Sequence, residues 1–289
     1  RTRQLLGFDG LVENSMDAVS SRDFLIEGTA VLTNLVINLS KMAEELVIWS
    51  TSEFAFIELD DRYASTSSIM PQKKNPDTAE LLRGKSGVVV GSLMALVTTC
   101  KALPLSYNRD LQEATPNMWK AMETARSSVR MMEGMIRTMK INKEVTASKS
   151  VMGFTTATEL ADTLVRVTGI PFRTAHQIVG VLARGEEDVL MQQIDAVADK
   201  VLGVKLSSKG LTEEMICEAL DPISNIKKRK VIGGPAFEEM EQAIMRRKRT
   251  MQQEDKEISA LKNGSEASLN ALVELVKRYI KHDQCGQQM

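Results

Sequence analysis

Three stretches of the chain place apolar residues at alternating intervals of three and four. From Phe24 to Trp49, with no proline and one glycine, Leu32, Leu35, Leu39, Met42, Leu46 and Trp49 recur in this way. Pro76 to Thr99 carries Ala79, Leu82, Val89, Leu93 and Leu96, widened by Val88, Val90 and Val97, and a third stretch carries Met118, Met122, Ala125, Val129, Met132, Ile136 and Met139. This spacing predicts helices packed nearly parallel to their neighbours along a seam. At 1.5 Å per residue, a segment of this length spans roughly 39 Å. Val31, Val36, Ala43 and Val47 fall outside the first seam. That apolar surplus predicts burial against other chains in an oligomeric bundle.

After about Lys149 the pattern shortens. Ala157, Leu160, Ala161, Leu164 and Val165 form one amphipathic face and Phe172, Ala175, Ile178, Val179 and Leu182 another, with breaks at Gly169-Ile170-Pro171, Gly185 and Gly203. The expected class is all-α: a long-helix bundle over residues 1–148, a small helical domain over 149–243, and a charged helical tail over 244–289. In the tail, Gly264-Ser265 predicts a break before a last amphipathic helix from Leu269 to Ile280.

Composition agrees with helices rather than sheets. Of 289 residues, 43% are hydrophobic, only 4% are aromatic, and 17 are methionine, so unbranched apolar side chains dominate. Charges nearly cancel, 37 basic against 38 acidic. The basic runs Lys227–Lys230 and Arg246–Arg249 therefore read as solvated helix faces and not as a nucleic-acid surface. Cys100, Cys217 and Cys285 are odd in number and far apart, which predicts a reducing, cytoplasmic setting without a disulfide framework. A run of 18 uncharged apolar residues is missing from the sequence, so no membrane span is expected. Neither a glycine-rich phosphate loop nor a metal-ligand spacing appears, and no cofactor is expected.

Candidate chemistry concentrates in one connection, Ser65-Thr66-Ser67-Ser68-Ile69-Met70-Pro71-Gln72-Lys73-Lys74-Asn75-Pro76. Asn75 before Pro76 reads as an N-cap with proline at N1, and Asp77 and Glu80 suit the positive end of a helix. A helix N-terminus beside Lys73 and Lys74 also suits a carboxylate or phosphate. A serine in that positive field can be deprotonated. Carbanion formation beside a carboxylate needs both a base and fixed positive charge at the developing dianion.

The stretch Ser67 to Pro76 resembles the signature loop of the fumarase/aspartase superfamily, and its Met-Pro-Gln-Lys-Lys-Asn-Pro variant resembles that of the argininosuccinate lyases. Three further stretches are similar to that family. They are Leu5 to Gly10 with Asn14 to Val19 and Arg22-Asp23; Pro104 to Glu113; and Thr156 to Asp162 with Gly169 to Arg173 and Ala175-His176. Together they cover about residues 1–240. The resemblance implies β-elimination of argininosuccinate to arginine and fumarate. Ser67 would act as the base, with Ser68 as the adjacent alternative, and Lys73 and Asn75 would hold the substrate carboxylate. Tyr107 and Gln112 match substrate-contacting positions, Glu80 a carboxylate supporting the active-site histidine, and Arg22 a position near the site. The implied partners are the small-molecule substrate and three further copies in a homotetramer with composite active sites.

The chain departs from the family at Thr66, where glycine is usual, and at Thr115, where many members carry a lysine. The family's Ser-Arg-Asn-Asp-Gln and Thr-His-Leu-Gln stretches, the latter with the catalytic histidine, have no counterpart here. His176 and His282 are the only histidines, and His176 reads as a packed or surface residue. The chain is therefore expected to be the C-terminal part of a lyase, inactive alone.

Overall fold

The computed structural model describes residues 1–66, 69–70, 74–185 and 189–286, side chains 281–286 excepted. Its elements are α1 (Thr2–Leu6), α2 (Ser15–Ser20), α3 (Asp23–Trp49), β1 (Ile57–Glu58), β2 (Ser65–Thr66), β3 (Lys74–Asn75), α4 (Asp77–Cys100), α5 (Ala114–Thr138) and β4 (Lys140–Ile141). They continue with α6 (Lys143–Ser150), α7 (Ala157–Thr168), α8 (Phe172–Leu182), α9 (Met191–Leu202), α10 (Glu213–Leu220), α11 (Pro222–Lys228) and α12 (Phe237–Gly286). The fold is all-α, and among the described residues the strands are two-residue pairs. Two compact units are present: Val12–Ala147, and Arg1–Leu11 together with Ser148–Met289.

In the first unit α3, α4 and α5 run antiparallel in sequence and pack on one another. The buried line of α3 is Thr29, Thr33, Val36, Leu39, Ala43 and Leu46. This corrects the expected seam, because Val36 (1% exposed) and Ala43 (0%) lie inside while Leu35 (39%), Met42 (43%) and Trp49 (37%) face out. Small and β-branched residues let the helix axes approach, and the larger side chains then fit only on the outer side. The two buried threonines satisfy their hydroxyls locally: Thr29 Oγ1 donates to the Leu25 carbonyl at 2.7 Å and Thr33 Oγ1 to that of Thr29 at 2.8 Å. On α4, Ala79, Leu82, Val89, Ser92 and Leu96 are buried, and on α5, Ala121, Ala125, Ser128, Met132 and Met135. Gly134 has a packing role: a Cβ there would sit 2.0 Å from the Tyr63 hydroxyl, so glycine lets the Tyr63 side chain approach α5.

By length and a mean hydropathy of 1.3, α4 would pass for a membrane span. Its Leu82–Val89–Leu96 stripe is packed on α3 and α5, while Leu81, Val90, Met94 and Val97 remain exposed.

The second unit has its own core of Leu160, Leu164, Ile178, Ile194, Leu206 and Ile216. Glu159, 4% exposed, draws three cations: Arg166 at 2.5 Å, Arg229 at 3.7 Å and Lys228 at 3.9 Å. A buried carboxylate needs such partners, and these tie α7 to α11. Gly169 ends α7 in the left-handed conformation at φ 68°, which glycine adopts without strain. The helix α12 runs through Gly264-Ser265, where a break was expected. One helical glycine costs only about 1 kcal/mol, and the flanking Ala260, Leu261, Lys262, Glu266 and Ala267 favour helix.

Replacing Ala43 by leucine overpacks the α3 seam and should cost about 1–3 kcal/mol, read as a lower urea midpoint; an unchanged midpoint would contradict this packing. Asp221 caps α11, accepting the Ser224 N–H at 2.7 Å, and hydrogen bonds from Ser224 hold its carboxyl below the usual range. A folded pKa below the unfolded one stabilises above the unfolded value and is lost as pH falls through the folded one. Asp221→Ala should therefore cost about 1 kcal/mol at neutral pH, and the gap to the parent chain should close in acid.

Candidate active site

The connection between β1 and α4 forms a hairpin whose closing rungs are Ser65 opposite Asn75 and Thr66 opposite Lys74. Ser67, Ser68 and Lys73, with Pro71 and Gln72, lie outside the described residues. Ile69 is 88% exposed. Lys74 is committed to the hairpin base: its Nζ lies 2.6 Å from Asp61 Oδ1 and 3.0 Å from Glu58 Oε1. The Asp61 and then the Glu58 hydrogen bond raise its pKa, so it stays charged and anchored. Ser65 Oγ donates to the Asp77 carboxylate.

The helix start differs from the expected cap. Pro76 occupies the N-cap position itself, at φ −81° and ψ 48°, without a side-chain cap bond. Its carbonyl accepts the N–H groups of Ala79 at 2.9 Å and Glu80 at 3.1 Å. Proline fits because its fixed φ already suits the turn. Asn75 sits one residue earlier, in β3, and is not spent on capping. With Glu80, Val47, Ser50 and Thr51 it lines a cavity of about 490 Å³. Asp77 and Glu80 place negative charge at the positive end of α4.

The other candidates lie elsewhere. The Gln112 side-chain amide donates to the Tyr107 hydroxyl at 3.2 Å, and both residues are exposed in the α4–α5 connection. Arg22 donates to the Ser21 and Val19 carbonyls at 2.7 and 3.0 Å. Burial raises the Cys100 thiol pKa while the positive charge of Arg22 opposes it, which puts Arg22 beside the C-terminus of α4. Asn75 and Glu80 thus occupy one end of the bundle, and Arg22, Tyr107 and Gln112 the other. The rise of α4 from Glu80 to Cys100 separates the two groups by about 30 Å. Thr115 is exposed in the first turn of α5.

His176 is exposed on α8, its ring centroid 6.1 Å from that of Phe172, and the side chain of His282 is outside the described set. Sequence reasoning missed Glu58 and Asp61. Their signal was the acidic run Glu58, Asp60, Asp61 placed before a lysine-bearing loop. Among the described residues, no group of three or more His, Cys, Asp or Glu could hold a metal ion.

Two family models match the chain: one described as lyase over residues 2–91, and one as argininosuccinate lyase C-terminal over residues 154–227. The argininosuccinate lyase of Methanosarcina acetivorans is 67% identical over 281 residues, 97% of this chain and 57% of that protein. That of Methanococcoides burtonii is 74% identical over 244 residues, 84% of this chain and 50% of that protein. Over nearly its whole length the chain is similar to the argininosuccinate lyases. The matched part of the chain spans 57% and 50% of the length of these curated relatives. Among solved structures, EDDS lyase in complex with formate superposes with a TM-score of 0.83 at 32% identity, covering 98% of this chain and 57% of that one. A class II fumarase from Schistosoma mansoni, at 19% identity and a TM-score of 0.56 over 73% of this chain and 41% of that one, shares the fold. The match to the argininosuccinate lyases agrees with the motif resemblance in the hairpin and in Pro104 to Glu113.

Replacing Lys74 by methionine removes the bridge from the hairpin to Glu58 and Asp61. Amide exchange in residues 64–76 should then speed up by about tenfold or more, with the middle of α4 unchanged. Unaltered exchange in the hairpin would show that the bridge does not hold it.

Proposed function

We propose that the chain contributes the signature hairpin and the substrate-contact stretch to an argininosuccinate lyase, in which argininosuccinate is split into arginine and fumarate. The reading is carried by the relatives that are 65–74% identical over 84–97% of the chain and bear that name. Ser67, with Ser68 as its neighbour and alternative, removes the proton from the carbon beside a substrate carboxylate. The electron pair left on that carbon forms the double bond of fumarate as the bond to the guanidino nitrogen breaks. A second group protonates the departing nitrogen. Lys73 and Asn75 hold the carboxylate while it carries the charge of an enolate-like dianion, an interaction stronger in the transition state than in the ground state. Glu80 supports the proton-transferring histidine, and Arg22, Tyr107 and Gln112 hold the rest of the substrate.

A separation of about 30 Å is too long for one small substrate to bridge. The hairpin of one copy therefore meets the Tyr107–Gln112 stretch of another in a homotetramer. The outward faces support this, since Leu35, Met42, Leu81, Met94, Trp119 and Val129 are all at least 39% exposed in the single chain, more apolar surface than a bundle leaves in water. The catalytic reaction takes place in the cytoplasm.

The test is fumarate release from argininosuccinate, by absorbance. The chain is assayed alone, and mixed with the Methanosarcina acetivorans relative whose serine matching Ser67 is alanine. Silence alone and recovery on mixing is the expected result, and Asn75→Ala in this chain should lower that recovery by about 10²-fold. Turnover by the chain alone would overturn the composite site, and no recovery by any mixture would overturn its contribution of the hairpin.

A further inference from the structure

The helix α12 is 50 residues long, about 75 Å, and every residue from Ile244 to Ala267 is exposed. A helix this long seldom persists in water without an apolar face to bury. It carries such a face. Phe237, Ile244, Met251 and Ile258 recur every seven residues, with Met240 and Leu261 three residues after the first and fourth, and each of the six is at least 49% exposed. A strict seven-residue repeat imposes a left-handed supercoil with a partner helix.

Among the described residues, only the far end of this stripe is covered. There α1 packs on α12: Arg1 reaches the Tyr279 hydroxyl at 3.2 Å, and a Cβ on Gly7 would sit 2.3 Å from Ser268 Oγ. Ser268, Leu272 and Leu275 are half-buried. The stripe is open from Phe237 to Ala267, and the midpoint between Phe237 and Ser268, where α1 begins to cover the helix, falls between Gln252 and Gln253.

Charge selects the partner and its direction. Arg246 to Arg249 form a basic block, and Glu254, Asp255 and Glu257 an acidic one just beyond the midpoint. Two parallel copies in register would set basic block against basic block. An antiparallel copy related by a two-fold axis at the midpoint sets basic against acidic. In that register Ile244 packs on Leu261 of the second copy. Lys248 flanks Asp255 of the second copy, and Glu241 flanks its Lys262. Arg247 and Glu254, the two charged positions on the stripe, fall in neighbouring layers across the pair, where polar residues fix register.

We propose that the segment Phe237 to Ala267 of α12 is a self-association element that pairs antiparallel with the same segment of a second copy.

The test uses full-length chains with Cys100, Cys217 and Cys285 replaced by serine. One carries Ile244→Cys, the other Leu261→Cys, and the two are oxidised separately and as an equal mixture. The proposal expects a disulfide-linked dimer in about half of the mixed chains and little in either chain alone. Cross-linking by Ile244→Cys alone at the level of the mixture would mean parallel pairing and would overturn the register. No cross-link above background in any sample would overturn the pairing, leaving the stripe to another occupant or to none. In a second measurement Lys248→Glu should cut the cross-link at least fivefold, and adding Asp255→Lys to the same chain should restore it. Loss without restoration would contradict the charge pairing.

Discussion

The close packing of α3 against the antiparallel α4 and the parallel α5 is the constraint on which the rest of the first unit depends. It rests on small residues, Thr29, Thr33 and Ala43 on α3 with Ala79 and Ser92 on α4 and Ala121, Ala125 and Ser128 on α5, all buried. They let the axes come close, and Val36, Leu46, Val89 and Leu96 fill what remains, none more than 2% exposed. A helix of 24 residues has two ends and connections at both. Asn75 and Glu80 lie at one end of the bundle and Arg22, Tyr107 and Gln112 at the other, so the packing that stabilises the bundle also divides the chemistry.

The hairpin end is built from charge. Asp61 and Glu58 take Lys74, Ser65 takes Asp77, and Tyr63 lies on Gly134. These interactions spend the second lysine of the Lys73-Lys74 pair on position, which leaves Lys73 as the pair's candidate for an anionic ligand. Pro76 has the same consequence for Asn75: with proline in the N-cap position, the asparagine amide is not consumed by the helix end and lines the cavity with Glu80.

Much of this was legible in the chain. Helix positions followed from the three-four spacing, and dense hydroxyls, lysines and amide singled out the connection between α3 and α4, though not its strand pairing. The buried face of α3 was misread because hydrophobicity ranks Leu35, Met42 and Trp49 above Thr29, Thr33 and Ala43, whereas close packing selects for size. The continuity of α12 was missed because Gly264 was weighed alone, without the strong helix formers beside it. The 30 Å division was invisible for a different reason. Periodicity says which residues share a face, and only the up-down course of the helices says which loops share an end.

The central claim is that the hairpin and the Tyr107–Gln112 stretch of one chain lie at opposite ends of its bundle. Electron–electron distance measurements between spin labels at positions 80 and 112 test it most directly, on chains whose native cysteines are replaced, first diluted with excess unlabelled chain and then fully labelled. In the diluted sample the account predicts one distance of about 30 Å or more, with a shorter one added on full labelling as copies meet. A distance under about 20 Å in the diluted sample would contradict it, because both groups would then belong to one site within a single chain.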